Sequence, residues 1–191
     1  MRFHYNGKFS GDQNDLPKGE HEENAVMFKE IEDPQKLSLV ANGISLLIAA
    51  ITVFLYFYRG HAAFNMIGMI LSIVTLVPHE FLHALCFKED VYMYQYLSKG
   101  MLFVVGPERM SKARYVFMSM LPNLVFGFIP FLLFLIHPSW TLLGTLGAIA
   151  IPMGAGDYYN VYNALTQMPK GARTYLHGFH SYWYLPKENQ Q

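Results

Sequence analysis

Four long apolar runs, separated by short polar connections, set the rhythm of this chain. They extend over about Leu37–Tyr58, Ala62–Phe87, Tyr115–Ile136 and Trp140–Leu165. Each is near the ~20 residues that a helix needs to cross a bilayer. The tight connections Tyr58-Arg59-Gly60-His61 and His137-Pro138-Ser139 join the runs pairwise into two helical hairpins. Tyr56, Phe57, Tyr58 and Trp140 stand where interfacial aromatic belts are expected. Between the second and third runs the period changes from helical to alternating. Tyr92, Tyr94 and Tyr96 alternate, Ser98-Lys99-Gly100 offers a turn, and Met101 to Val105 follows as an apolar strand. This segment, about 91–106, reads as a β-hairpin. It either rests at the interface through its tyrosines or presents a strand edge that pairs with an extended substrate. The predicted fold is therefore an all-α membrane protein: four transmembrane helices with a small cytoplasmic-side β-hairpin between the second and third. A polar arm (1–36) precedes this core (37–168), and an aromatic tail (169–191) with Tyr175, Phe179, Tyr182, Trp183 and Tyr184 is expected to lie along the interface.

Composition agrees with a bilayer setting. Hydrophobic residues make up 52% of the 191 residues and charged ones 15%, against about 25% charged in soluble domains. The net charge of zero gives no footprint for nucleic acid. Lys29 and Lys36 lie in the arm, Lys88, Lys99, Arg109, Lys112 and Arg114 in the middle loop, and Lys170 and Arg173 in the tail. The two short turns hold Arg59 alone. The positive-inside rule then predicts a multi-pass protein of the cell membrane with both termini and the middle loop cytoplasmic. Met1 to Lys36 contains no apolar stretch of the kind a signal peptide requires. Cys86 is the single cysteine, so no intrachain disulfide is expected, and it reads as a small core residue.

Within the second run stands His79-Glu80-Phe81-Leu82-His83, an H-E-x-x-H. Residues four apart share one face of a helix, so both imidazoles can reach a single metal ion. Glu80, one step round, can reach a water on that metal without ligating it. Ala62 to Val77 upstream contains no charged side chain, and ionisable residues at membrane depth are costly enough to be functional candidates by default.

A catalytic zinc site takes three protein ligands and keeps one position open. Along the predicted spans from Leu37 to Leu165, outside the middle loop, the acidic residues are Glu80 and Asp157. His79 lies about seventeen residues from the outer start of its run at Ala62, and Asp157 about seventeen from Trp140. Both are then roughly 25 Å from the outer face. Small and polar residues recur along Asn65, Gly68, Ser72, Thr75, His79 and His83, and again along Gly147, Ala150, Gly154 and Asp157. Such stripes mark faces that pack closely in membrane bundles. Asp157 is therefore the candidate third ligand, the other reading being a carboxylate that caps a helix break near Gly156. Pro78 and Pro152 are expected to loosen the helices beside the site. Asn123, after Pro122, is a candidate for orienting substrate or steadying an oxyanion, or else bonds a neighbouring helix. His177 and His180 read as solvated tail histidines.

His79 to Leu85, the run Pro107-Glu108-Arg109-Met110-Ser111-Lys112-Ala113-Arg114, Leu121-Pro122-Asn123, and Gly154 to Tyr158 together resemble the putative zincin peptidase family of membrane proteins, related to the site-2 proteases. The resemblance runs from the second apolar run through the fourth. It implies a zinc ion (Zn2+) on His79, His83 and Asp157, Glu80 as general base, and a membrane or membrane-adjacent protein substrate cut in or near the bilayer. The aspartate's surroundings, Ile151 to Tyr158, differ from the Asn-Pro-x-Pro-x-Leu-Asp-Gly pattern of site-2 proteases, with no glycine after Asp157. Two other readings use the same residues: a membrane divalent-metal-binding protein or carrier, and a catalytically inactive relative. Imidazole and carboxylate also suit several divalent metals besides zinc.

Overall fold

The computed structural model describes residues 1–31, 33–96, 101–178 and 180–187. The turn Ser98-Lys99-Gly100 and Phe179 lie outside the described residues. The fold is mixed α/β, which corrects the all-α expectation. In chain order come β1 (Arg2–Lys8), β2 (Val26–Met27), α1 (Pro34–Tyr58), α2 (Met66–Val74), α3 (Leu76–Leu85), β3 (Asp90–Tyr96), β4 (Met101–Val105) and β5 (Met110–Ser111). α4 (Lys112–Pro122) runs through a π-helical turn (Asn123–Phe128) into α5 (Ile129–Ile136). α6 (Thr141–Met153), α7 (Ala155–Gln167), β6 (Arg173–His177) and β7 (His180–Tyr184) complete it.

Four uninterrupted spans are not found among the described residues. Among the described residues two helices are long and apolar enough to cross a membrane, Gln35–Tyr58 and Lys112–Ile136, and α2 with α3 counts as a third only if the pair, bent by 44°, is one broken span. The break falls at Thr75, between α2 and α3. Pro78 explains it: in a continuous helix its ring would press on the carbonyl four residues back, Val74, whose hydrogen bond it also removes. In the first turn of a new helix the same proline is tolerated, and His79 N–H donates to Thr75 O at 2.8 Å. The fourth run divides at Gly154 into α6 and α7. α7 carries Asp157, Asn160, Asn163 and four tyrosine or threonine hydroxyls before Gln167, so its second half was never a uniformly apolar run.

The chain divides into two compact units, residues 1–30, 80–118 and 161–191 in one and 31–79 and 119–160 in the other. The first holds both sheets. One is ordered β1-β3-β4, with β1 parallel and β4 antiparallel to β3; the other is ordered β2-β7-β6-β5, all antiparallel. The arm and tail are thus sheet components. Arg2 to Lys8 pairs with Asp90 to Gln95, and Val26 and Met27 pair with Trp183 and Tyr182. The tail expected to lie along an interface is a hairpin that buries Tyr175 and Tyr184. Phe28, Ala84, Phe87, Val91, Met110, Tyr115, Ala164 and Met168 form the unit's largest apolar core.

The second unit is helical. Its core is Tyr56, Phe131, Phe134, Ala148 and Ile151. α1 begins where Asp33 caps it, accepting from Gln35 N–H at 2.8 Å, with Pro34 at the first helical position. It ends at Arg59 and Gly60, whose φ of 89° suits glycine alone. α2 lies against α6 because residue 68 has no side chain: a Cβ there would sit 2.8 Å from Leu142 O and from Thr145 Cβ. Pro152 removes the usual donor to the carbonyl of Ala148, and buried Thr52 on α1 supplies a replacement, Oγ1 to Ala148 O at 2.9 Å.

Candidate metal centre

α3 presents the H-E-x-x-H on one turn. The ligand atoms of His79, Glu80 and His83 all lie within 4.8 Å of one another, the one group of three or more such side chains found among the described residues. His177 and His180 belong to no such group; His177 Nδ1 lies 3.1 Å from Gly19 O. Cys86 follows α3 as a free thiol.

In the helical unit the structure brings His79 and Asp157 together: Nε2 lies 3.1 Å from Oδ2. Asp157 sits in the first turn of α7, where the helix N-terminus favours a negative charge. Asn123 holds the same carboxylate. Its Nδ2 donates to Asp157 Oδ2 at 2.7 Å and to Ser119 O at 3.2 Å, and its Oδ1 accepts from the Tyr158 hydroxyl at 3.3 Å. Asn123 is 2% exposed, so its two amide hydrogens are spent on protein acceptors inside the unit rather than turned outward. It opens the π-helical turn, the kind of local widening of a helix that recurs at functional sites. Gly154 makes room for it, since a Cβ at that position would overlap the Asn123 amide. The backbone there, φ −79° and ψ 14°, is open to any residue; space alone demands glycine.

In the other unit His83, 7% exposed, directs Nδ1 at Met118 O, 2.9 Å away. A carbonyl can only accept, so Nδ1 carries the hydrogen and Nε2 of the neutral ring keeps its lone pair. Met118 O is available because Pro122, four residues on, has no N–H to give it. Metal-bound histidines are commonly oriented by such a bond from the second nitrogen. The sequence carried a signal for this partner in the spacing of Met118 and Pro122, although it names a backbone atom and no side chain. Tyr158, which braces Asn123 and also donates to Ile151 O at 2.8 Å, had no such signal.

Two imidazoles and a carboxylate are donors that suit a divalent metal; Asp157 meets His79 and lies outside the close group of His79, Glu80 and His83. Zinc takes imidazole and carboxylate ligands at 2.0–2.2 Å, and a tetrahedron of that size sets ligand atoms about 3.4 Å apart. The His79–Asp157 separation of 3.1 Å is close to that edge, and the tautomer of His83 puts the ring's lone pair on Nε2. No curated protein and no solved structure matches the chain significantly. Residues 72–173, just over half of the chain and the whole stretch from α2 to β6 that carries these groups, match the family model described as Putative zincin peptidase, and the chain belongs to that family.

Proposed function

We propose that this chain is a membrane-embedded zinc metallopeptidase of site-2 protease type, which cuts a peptide bond of a membrane or membrane-adjacent protein in or near the bilayer. The observation that carries the reading is the meeting of Asp157 with the first histidine of an H-E-x-x-H helix. His79, His83 and Asp157 would hold the metal, and Glu80 would stay off it. Zinc bound there supplies Lewis-acid chemistry, polarising a carbonyl and acidifying water. Glu80 takes the proton from the attacking water and returns one to the leaving amine. Asn123 keeps Asp157 in place, and Met118 O keeps His83 in the correct tautomer. The apolar stretch of α1 is only 6% buried within the protein, which supports a lipid environment for it. The distribution of Lys and Arg favours cytoplasmic termini.

The first experiment is elemental analysis of detergent-purified protein, prepared without chelators, for wild type, His79→Ala and Asp157→Ala. Near-stoichiometric zinc, lost in both variants, is expected. A zinc-free wild type would overturn the reading. In liposomes, hydrolysis of fluorogenic peptides carrying short apolar segments should fall by about 10²–10⁴-fold in Glu80→Gln. Zinc retained alongside wild-type rates in that variant would remove Glu80 from the mechanism.

A further inference from the structure

The run Pro107 to Arg114 has no part in the chemistry above, yet it grips the end of the motif helix. Arg114, in the first turn of α4, donates from Nε to Cys86 O at 2.9 Å and from Nη2 to the same oxygen. Its Nη1 donates to Glu108 Oε1. The other oxygen of Glu108 accepts from the backbone N–H of Lys88 at 2.6 Å and of Glu89 at 3.1 Å. One ion pair thus seizes the carbonyl that ends α3 and the amides that follow it. The Glu108 side chain is 5% exposed and that of Arg114 23%. Burial pushes the Glu108 carboxyl up, but Arg114 and the two amides outweigh it and hold the group below the ordinary carboxylate range.

The spacing joins this grip to His83. On α3, His83 and Cys86 are three residues apart, and Cys86 N–H donates to His83 O at 3.0 Å. On α4, Arg114 and Met118 are four residues apart, on one face. α3 and α4 therefore meet twice along one seam: Arg114 to Cys86 O, and His83 Nδ1 to Met118 O. The first contact has two charge-assisted arms, with Glu108 bracing the guanidinium from behind, and is the stronger. The second is a single neutral hydrogen bond that exists only if the two helices keep register. We infer that the Arg114–Glu108 pair is a positioning device for His83: it fixes the register of α4 against α3, so that Met118 O meets Nδ1 and the ring is held as the Nδ1–H tautomer, with its lone pair on Nε2. Its use rests on the metallopeptidase reading; the ring orientation does not.

The test compares wild type with Arg114→Met, Arg114→Lys and Arg109→Met. Arg109 pairs with Glu20 and Glu22 and serves as the control for loss of a nearby cation. In metal-free protein, imidazole 15N shifts should report His83 as the Nδ1–H tautomer in wild type and Arg109→Met, and as a mixture in Arg114→Met. Zinc affinity, by competition with a chromophoric chelator, should weaken about tenfold or more in Arg114→Met and less in Arg114→Lys. A folded Arg114→Met with wild-type tautomer and affinity would overturn the inference. Should Arg114→Met not fold, Glu108→Gln, which keeps the guanidinium and loosens its anchor, is expected to show the same changes in smaller degree, and unchanged values there overturn it equally. A wild type that binds no zinc sinks the metallopeptidase reading alone, because the tautomer measurement still decides this one.

Discussion

The two histidines of α3, four residues apart, are served by different chemistry in the two units. In the helical unit His79 faces a side chain, Asp157, which is itself held by Asn123 and a space-making glycine. In the unit that contains the sheets His83 faces a main-chain carbonyl exposed by a proline. A carboxylate can join a metal as a ligand; a peptide carbonyl bonded to the far nitrogen can only orient the ring. The comparison teaches that the same residue type at both ends of one motif need not be supported alike, and that damage at the two ends should look different.

The sharpest way to break the comparison is at Gly154. Gly154→Ala drives a methyl group into the Asn123 amide and should cost about 1–3 kcal/mol of stability, as overpacking does, together with most of the bound zinc; thermal unfolding and metal analysis check both. Asn123→Ala removes only the hold on Asp157. Zinc affinity should fall by about 10–100-fold with a smaller loss of stability than Gly154→Ala, measured by chelator competition. On the His83 side the effect is gentler and of mixed sign. Pro122→Ala restores an N–H that competes for Met118 O, so zinc affinity should drop only a few-fold, on the order of 1 kcal/mol, while thermal stability holds or rises. A fall in both would mean that the proline serves packing rather than the histidine. The smallest effect concerns pH. Because the folded Glu108 carboxyl is held below its unfolded value, its contribution to stability is present above the ordinary glutamate range, near pH 4.3, and is lost as pH falls through the lower folded value. The stability gap between wild type and Glu108→Gln should therefore shrink as unfolding is followed from pH 7 down to pH 3.

Legibility in the sequence followed the range of the interactions. The apolar runs that contain Gln35–Tyr58 and Lys112–Ile136 could be read directly, because a long helix advertises itself in one continuous stretch. The Tyr92, Tyr94, Tyr96 alternation lies in β3 for the same reason. β1, β2, β5, β6 and β7 escaped notice. β2 and β5 are two residues long, and β1 pairs with residues more than eighty positions away, so no local period could announce them. The break of the second run at Thr75 and of the fourth at Gly154 were signalled only as loosening by Pro78 and Pro152. At the site, scarcity was the guide: where ionisable groups are rare, His79, Glu80, His83 and Asp157 stand out. Met118 is ordinary by that standard, and so is Tyr158, because what each contributes is a carbonyl or a second-layer hydroxyl that composition cannot flag.

The use of Met118 O has a consequence for drift and for acid. No replacement of the Met118 side chain can delete its carbonyl, so the side chain answers only to its packing against the core, while the availability of the acceptor is set four positions along the helix, at residue 122. The acceptor also has no proton to gain in any physiological range. A carboxylate in its place would change its charge as the surroundings acidified, whereas a peptide oxygen offers His83 the same acceptor at neutral and at mildly acidic pH alike.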